Sequence, residues 1–310
     1  MMTETRRRAI ALLLAAAIGP GSGLAAGRPS RAAAPPETRL LAPAPTFVAA
    51  VGSGEAVAPP SKSRLVIVGG GERPRAAMAR FVLWGGGPAA RLLAVTWSSI
   101  EPKESCAALL AELRVHEPGL AECAPFARLD AAGKAGPLDA DSRARFLGQL
   151  AAATAVFFSG GDQARIMDVL ADAELLRAVR ERHAQGVVFG GTSAGAAALS
   201  LRMIADDGDP TVIDGDQVVV REGLGLLPGV IVDQHFVRRQ RENRLFGLVL
   251  KHPDELGVGI DEDTALLVTG GRYAEVVGKG PVVLVAATGQ DRLEVTIVRS
   301  GQSVDLQQRR

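Results

Sequence analysis

The chain has 310 residues, of which 47% are hydrophobic and only 4% are aromatic. Its 35 basic and 34 acidic residues give a formal net charge of +1, so the whole chain has no electrostatic attraction for nucleic acid or an anionic membrane. This composition excludes an intrinsically disordered chain and is sufficient for one large α/β domain or two small ones.

The first 26 residues have the layout of a secretory signal peptide. Three arginines precede a short apolar run, and small residues follow it, ending near Ala25 and Ala26. The apolar run is shorter than a usual membrane-spanning helix, and an uncleaved N-terminal anchor is the alternative interpretation. We therefore expect a secreted or periplasmic protein that has no membrane attachment after cleavage of the signal.

Residues 27–63 are rich in Ala and Pro and show no sustained periodicity. Such a segment is typical of a tether rather than of a folded domain. A regular pattern begins at residue 64, and we predict a single α/β domain over residues 64–310.

Buried apolar segments alternate with amphipathic ones from residue 64 onward. "RLVIVGGG", "ARLLAVTWSS", "ATAVFFSGGD" and "VVFGG" read as strands that end in glycine or polar residues, and "ESCAALLAELRVH" reads as a helix. This alternation predicts an α/β fold with a mostly parallel sheet and helices on both faces. Because ligands bind at the carboxyl ends of parallel strands, we expect the glycine-bearing strand ends to meet at one crevice.

The only two cysteines are Cys106 and Cys123. In an oxidising compartment they could form a disulfide, which is the favoured interpretation, and two unpaired thiols are the alternative. No second cysteine pair or histidine spacing completes a zinc site.

Residues 187–199, "VVFGGTSAGAAAL", lead an apolar strand into a turn of very small residues around Ser193. Gly and Ala allow the backbone to turn sharply from strand to helix and leave the hydroxyl exposed. An acyl-transfer nucleophile needs this placement, and "GTSAG" fits the G-x-S-x-G pattern of nucleophile elbows. A glycine-rich phosphate-binding or packing turn is the alternative interpretation of this segment.

Four histidines are candidates for the base that such a serine needs. His116, His183 and His252 lie at helix ends or in a turn, where a structural role explains each of them. His235 differs because it follows the apolar segment "GVIVDQ", at the carboxyl end of a predicted strand. We therefore predict that His235 is the base, with a buried histidine of structural role as the alternative.

Four segments resemble the cyanophycinases of peptidase family S51 when they are taken together and in order. They are "FFSGGDQ", "GGTSAGA", "GLGLLPGVIVDQHFVRRQRENRL" and "GVGIDEDTALLV", and the likeness covers about residues 64–285. That family is related to the α-aspartyl dipeptidases and has a fold similar to the class I glutamine amidotransferases, a flavodoxin-like three-layer arrangement. The predicted signal peptide makes the chain similar to the extracellular branch of the family.

The resemblance implies a serine exopeptidase that hydrolyses the polyaspartate backbone of cyanophycin to β-aspartyl-arginine. It implies Ser193 as nucleophile, His235 as base, and the amides of Gly161 and Ala194 as oxyanion donors. It implies no metal and no organic cofactor, and it leaves a homodimer open. The acid of the triad is expected between Ser193 and His235, at Asp209.

Two other aspartates are alternatives for the acid of the triad, and the sequence departs from the family pattern in this segment. Asp206 and Asp207 are alternatives in the same segment, which by default is a solvated turn. The best-aligned position is near Thr211, which departs from the family pattern.

The resemblance also implies a set of substrate-binding residues around the predicted nucleophile. These are Gln163, Asp233, Gln234, Arg239, Arg241 and Arg244. Each repeat of cyanophycin carries a guanidinium and a carboxylate, so the arginines are expected to bind carboxylates and Asp233 a guanidinium. The alternative interpretation of "RRQREN" is an exposed basic helix start.

Two other functions stay open at this point. The first is a small-peptide hydrolase of the same fold, of the α-aspartyl or γ-glutamyl type, because the arginines would also bind a peptide carboxylate. The second is a catalytically inactive binding protein that retains the pocket, which the departure at Thr211 keeps open.

Overall fold

The structure is a computed structural model, and it describes residues 62–307. The predicted signal peptide and all of the predicted tether except its last two residues lie outside the described residues. The first strand begins at Arg64, where the sequence pattern predicts it.

The first part of the domain alternates strands with helices. Its elements are β1 (Arg64–Val68), α1 (Arg75–Trp84), β2 (Arg91–Val95), α2 (Pro102–Arg114), β3 (Leu120–Cys123), α3 (Ala140–Ala152), β4 (Ala155–Phe158), α4 (Gln163–Val169), α5 (Ala173–Ala184), β5 (Val188–Thr192) and α6 (Ala194–Ala197). This is the order that the sequence predicts for a parallel sheet.

Strands dominate the second part of the domain. Its elements are β6 (Arg202–Ile204), β7 (Val220–Glu222), β8 (Val230–Gln234), α7 (Glu242–Lys251), β9 (Leu256–Ile260), β10 (Thr264–Thr269), β11 (Tyr273–Gly278), β12 (Val282–Gly289), β13 (Arg292–Val298) and β14 (Ser303–Asp305). Strands β6 and β7 pair with each other as a small separate sheet.

The main sheet has eight strands in the order β14-β11-β10-β1-β5-β4-β2-β3. Strands β1, β5, β4, β2 and β3 run parallel to one another. Their carboxyl ends therefore lie along the same edge of the sheet, where a ligand site is expected.

Helices cover both faces of this sheet, as predicted. On β1, Leu65 and Ile67 belong to the apolar core shared with α3, α4 and α5, whereas Val66 and Val68 belong to the core shared with α1 and α2. Successive residues of a strand point to opposite faces, so a strand buried on both sides reads as an uninterrupted apolar run. The predicted α/β fold is confirmed.

The last part of the main sheet is antiparallel, which the sequence pattern did not predict. Strand β10 pairs antiparallel with β1, and β11 and β14 continue the sheet in the same manner. A second sheet has the order β13-β12-β9-β8, in which only β8 and β9 are parallel. Helix α7 packs on this second sheet through Leu245, Leu248 and Val249.

A disulfide joins Cys106 of α2 to Cys123 of β3, with their Cα atoms 6.1 Å apart. The bond fastens a helix to β3, which is the last strand at one edge of the main sheet. The predicted pairing of the two cysteines is confirmed.

Candidate functional site

The candidate site lies where strands of both sheets end. Gly69 and Gly70 follow β1, Gly160 and Gly161 follow β4, and Ser193 follows β5. His235 follows β8 and Glu262 follows β9 in the second sheet. The backbone amide of His235 donates to the carbonyl of Gly69 at 2.7 Å, which ties the ends of β8 and β1 together.

Ser193 has a strained backbone in a turn that only small neighbours permit. Its φ is +52° and its ψ is −116°, immediately before the first residue of α6. A methyl group added at Gly191 would overlap the carbonyl of Gly195, and one added at Gly195 would overlap the carbonyl of Phe158. The two glycines therefore let the strand, the turn and the helix pack closely, and the half-buried serine takes the corner of the turn.

His235 contacts the hydroxyl of Ser193 directly. Its Nε2 lies 2.8 Å from Oγ of Ser193, and Oε1 of Gln234 lies 3.3 Å from the same hydroxyl. His235 also has a positive φ of 48°. A methyl group added at Gly70 would overlap the imidazole, so the ring stands directly on the backbone after β1.

Glu262 holds the other nitrogen of the imidazole. Its Oε1 lies 2.6 Å from Nδ1 of His235, and the glutamate side chain is 32% exposed. An ionised carboxylate can only accept, so this contact places the proton on Nδ1 and leaves Nε2 to accept from Ser193. The serine, histidine and glutamate thus form one continuous chain of hydrogen bonds.

Burial lowers the pKa of His235 from its ordinary value, and this is the largest effect on it. Nearby Arg239 and Arg241 lower the pKa further, whereas the hydrogen bond and charge of Glu262 raise it. The net result is a histidine that stays neutral, and able to accept a proton, below the pH at which a solvated histidine would become charged.

Asp209 is not the carboxylate that orients His235. It lies in an exposed turn, where its Oδ1 accepts from the amide of Thr211 at 2.8 Å and from its hydroxyl at 2.6 Å. Of the two alternatives, Asp207 pairs with Arg241, and Asp206 uses its backbone carbonyl to accept from Arg244. The expectation that the acid lies between Ser193 and His235 in the chain is therefore wrong in this structure.

Sequence reasoning missed Glu262, although a signal for it was present. Glu262 lies two residues beyond β9, at the carboxyl end of a buried strand, which is the rule that identified Ser193 and His235. It lies within "GVGIDEDTALLV", one of the segments on which the family resemblance rests.

Ala194 and the turn that carries Gly161 adjoin Ser193. Ala194 is the next residue in the chain and begins α6. A methyl group added at Gly160 would lie 3.3 Å from Cβ of Ser193, so the turn after β4 is in contact with the serine. Gly161 follows with a φ of +137°, a conformation that favours glycine.

Asp233 and Arg244 form a buried ion pair, and their side chains are 1% and 3% exposed. Nε of Arg244 donates to Oδ2 of Asp233 at 2.8 Å, and its Nη2 donates to Oδ1. Each side chain therefore has its charge balanced, and hydrogen bonds supplied, by the other. In this structure neither group is free to bind the substrate guanidinium or carboxylate that was expected of it.

The two other predicted arginines differ in their accessibility. The side chain of Arg241 is 5% exposed, donates to the carbonyl of Gln234 at 2.9 Å and pairs with Asp207, which is 87% exposed. Arg239 is exposed, and within residues 62–307 its guanidinium has no hydrogen-bond or ion-pair partner. It lies close enough to His235 and Asp207 to lower the pKa of both.

Gln163, the remaining predicted substrate residue, begins α4 next to the Gly160–Gly161 turn. Its Nε2 donates to the carbonyl of Ile204 at 2.7 Å, so the side-chain amide is partly engaged within the protein. Its carbonyl oxygen and its second N–H have capacity for further partners.

The described part of the chain contains neither a cluster of metal ligands nor a membrane-spanning helix. Between residues 62 and 307, no group of three or more acidic, histidine or cysteine side chains is arranged to hold a metal ion. Among the same residues, no helix combines the length and apolar character needed to cross a membrane.

A solved structure of a peptidase from an acI-B1 Actinobacterium has the same fold. It superposes with a TM-score of 0.57 over 78% of this chain and 96% of its own length, at 22% sequence identity. This likeness supports the α/β architecture described above, and at this level of identity it supports the fold alone.

Sequence comparisons show which proteins the segment that carries the site is similar to. The model of peptidase family S51 matches residues 126–276. A cyanophycinase of Geminocystis herdmanii is 46% identical over 133 residues, which are 43% of this chain and 49% of that protein. A cyanophycinase of Trichormus variabilis is 44% identical over 140 residues, which are 45% of this chain and 47% of that protein.

The chain therefore spans about half the length of the curated relatives it matches. The matched segment contains Ser193, His235 and Glu262, together with the turn after β4. Residues 126–276 of this chain are therefore similar to peptidase family S51, whose model they match.

Proposed function

We propose that this protein is a serine peptidase that hydrolyses the polyaspartate backbone of cyanophycin and releases β-aspartyl-arginine. The observation that carries the proposal is the chain of hydrogen bonds from Oγ of Ser193 through His235 to Glu262. The similarity to proteins named cyanophycinase supports the choice of substrate.

In the proposed reaction, Oγ of Ser193 attacks a backbone carbonyl carbon while Nε2 of His235 takes the hydroxyl proton. The amides of Gly161 and Ala194 stabilise the oxyanion, and Glu262 stabilises the imidazolium. His235 then gives the proton to the departing amide nitrogen, and the C–N bond breaks. A water molecule, deprotonated by His235, hydrolyses the resulting ester and restores the serine.

The charges around the site suit a substrate that carries carboxylates. Arg239 is exposed, and no other residue of the range 62–307 engages its fork of donors, so it is the first candidate to bind a substrate carboxylate. Arg241 is reached only if the substrate displaces Asp207, whose side chain is 87% exposed. We assign no role in direct substrate contact to Asp233 or Arg244.

Hydrolysis of the polymer tests this function. The purified protein is incubated with cyanophycin, with polyaspartate that lacks arginine, and with casein, and mass spectrometry measures the dipeptide released. We expect rapid release from cyanophycin alone. Equal cleavage of casein would contradict the assigned specificity, and no cleavage of any peptide would favour an inactive binding protein.

Substitution of the nucleophile completes the test. Ser193→Ala is expected to reduce hydrolysis by several orders of magnitude, because only oxyanion stabilisation and substrate binding remain. Ser99→Ala is the matched control, since its hydroxyl lies 2.7 Å from the hydroxyl of Ser105 and outside the proposed machinery. Cleavage of short aspartyl or glutamyl peptides in preference to the polymer would support the small-peptide hydrolase instead.

We also propose that residues 1–26 direct export and are removed. The disulfide between Cys106 and Cys123 supports this location, because such bonds persist in oxidising compartments. N-terminal sequencing of protein from the periplasm or medium tests the proposal, and an intact Met1 on exported protein would contradict cleavage.

A further inference from the structure

The turn that carries Gly161 has little conformational restraint of its own. It contains two consecutive glycines, and Gly161 adopts a φ of +137°. Glycine reaches both halves of φ space at little cost, so the peptide between Gly160 and Gly161 could turn over without a steric penalty from side chains. An oxyanion donor must nevertheless be fixed before the reaction, because reorientation during the reaction would cost free energy.

Ser98 contacts this turn through both its hydroxyl and its carbonyl. The residue is fully buried, and its Oγ lies 2.9 Å from the carbonyl oxygens of Ser159 and Gly160. Its own carbonyl accepts from the amide of Asp162 at 2.9 Å and from Nη1 of Arg165 at 3.0 Å. Ser98 thus contacts the turn after β4 on both sides of its two glycines. The hydroxyl of Ser159 assists it, since it lies 3.0 Å from that of Ser98 and donates to the carbonyl of Gly160 at 3.3 Å.

The direction of these bonds determines where the amide of Gly161 points. The described residues contain no cis peptide bond, and in a trans peptide the carbonyl and the N–H point in opposite directions. The carbonyl of Gly160 points toward the hydroxyl of Ser98, so the N–H of Gly161 points away from Ser98. Gly160 packs against Ser193.

We propose that Ser98 is the positioning residue of the oxyanion site. Its hydroxyl holds the carbonyl of Gly160 and thereby keeps the N–H of Gly161 directed at the oxyanion that forms on a substrate bound to Ser193. The inference rests on the proposed function, because it assumes that Ser193 attacks a carbonyl. Ser98 thereby contributes to the rate of the chemical step, although it is buried and remote in sequence from Ser193.

Ser98→Ala tests the proposal, and Ser99→Ala is the matched control. The hydroxyl of Ser99 contacts that of Ser105 and does not hold the turn. We expect Ser98→Ala to lower kcat about 10- to 100-fold with KM changed less than about twofold, since a misplaced donor affects the transition state more than the bound substrate. Affinity for a peptide boronic acid, whose oxygen occupies the oxyanion position, should fall by a similar factor.

A second measurement separates this inference from the choice of substrate. A fluorophosphonate phosphonylates an activated serine with loss of fluoride, and its phosphoryl oxygen also needs the oxyanion donors. Its rate with Ser98→Ala should fall at least about tenfold, whether or not cyanophycin is hydrolysed. Unchanged phosphonylation and boronate affinity would overturn the proposal even if wild-type protein degrades the polymer.

Protein stability is measured in parallel. Thermal unfolding of Ser98→Ala should remain within about 5 °C of wild type, because the variant loses only one hydroxyl group. If that variant does not fold, Ser98→Cys keeps a weak donor in a similar volume, and we expect an intermediate loss of kcat. A folded Ser98→Cys protein with a raised KM and an unchanged kcat would overturn the proposal.

Discussion

Oε1 of Glu262 and Nδ1 of His235 lie 2.6 Å apart, although the two residues belong to the ends of different strands. The contact sets the rotation of the imidazole and the position of its proton. It also supplies a negative charge beside a ring that becomes positive when it accepts the proton of Ser193.

Glu262→Gln should therefore lower kcat by about 100- to 10,000-fold while the protein remains folded. A neutral amide does not stabilise the imidazolium, and its NH₂ group can favour the wrong tautomer of His235. The measurement is steady-state hydrolysis, with circular dichroism to verify the fold. Asp209→Asn is the control and should leave kcat within about twofold, and a larger loss there than at Glu262 would show that the acid has been misassigned.

The pH dependence of the reaction should report the lowered pKa of His235. The base is active when neutral, so kcat/KM should fall on the acid side, with a midpoint below the ordinary histidine value of about 6.5. Because Arg239 lowers this pKa, Arg239→Ala should move the midpoint to higher pH.

A neutral activated ester is the right substrate for that comparison, because it has no carboxylate that Arg239 could bind. Arg177→Ala, on α5, serves as a control for removing one exposed charge. A midpoint that moves to lower pH in Arg239→Ala, or one that does not move, would contradict the assigned electrostatics.

The buried pair of Asp233 and Arg244 should be important for stability. Arg244→Met leaves a carboxylate that is 1% exposed without its partner, and we expect a loss of about 3–5 kcal/mol in the free energy of unfolding. Urea denaturation measures it. Arg177→Met, which breaks an exposed pair with Glu181, should change the midpoint little. A stable Arg244→Met protein with a raised KM would restore Arg244 as a substrate contact.

The disulfide should contribute to stability and not to catalysis. It closes a loop between residues 17 positions apart, for which chain entropy suggests about 3 kcal/mol. Urea midpoints of native protein and of the Cys106→Ala/Cys123→Ala double variant measure the loss. Because β3 is at the edge of the main sheet, kcat at 25 °C should be unchanged, and a large loss of kcat would mean that the edge strand supports the site.

The residues that sequence reasoning located correctly have local signals. Ser193 follows an apolar strand and stands among glycines and alanines that serve the turn itself, so a short segment contains most of the information. His235 follows a strand in the same way. The resemblance to the family then indicated that Ser193 and His235 act together, although they are distant from each other in the sequence.

The errors concern contacts that residue type cannot determine. Asp209 and Glu262 are both acidic and both lie in polar turns, and only the parallel pairing of β8 with β9 brings Glu262 beside His235. Asp233 and Arg244 were each suitable for a charged substrate. Nothing in their sequence positions indicates that they bury their charges against each other.

The sequence pattern did not predict the antiparallel strands, for a related reason. The regular alternation of strands and helices ends after α6, and the strands that follow α7 are joined to one another through short turns. The pairing of β10 with β1 joins residues about 200 positions apart in the chain, with Val68 opposite Ala265. Such pairing depends on the assembled sheet rather than on any local pattern.

The position of Glu262 also constrains the order of events when the chain refolds. It lies on the turn between β9, a strand of the second sheet, and β10, a strand of the main sheet. Trp97 is buried in the core on one face of the main sheet and Trp84 packs against the core on the other face, so tryptophan fluorescence reports formation of that sheet. Full hydrolytic activity requires in addition that both sheets have docked, and its recovery during refolding can coincide with the fluorescence change or follow it, but cannot precede it.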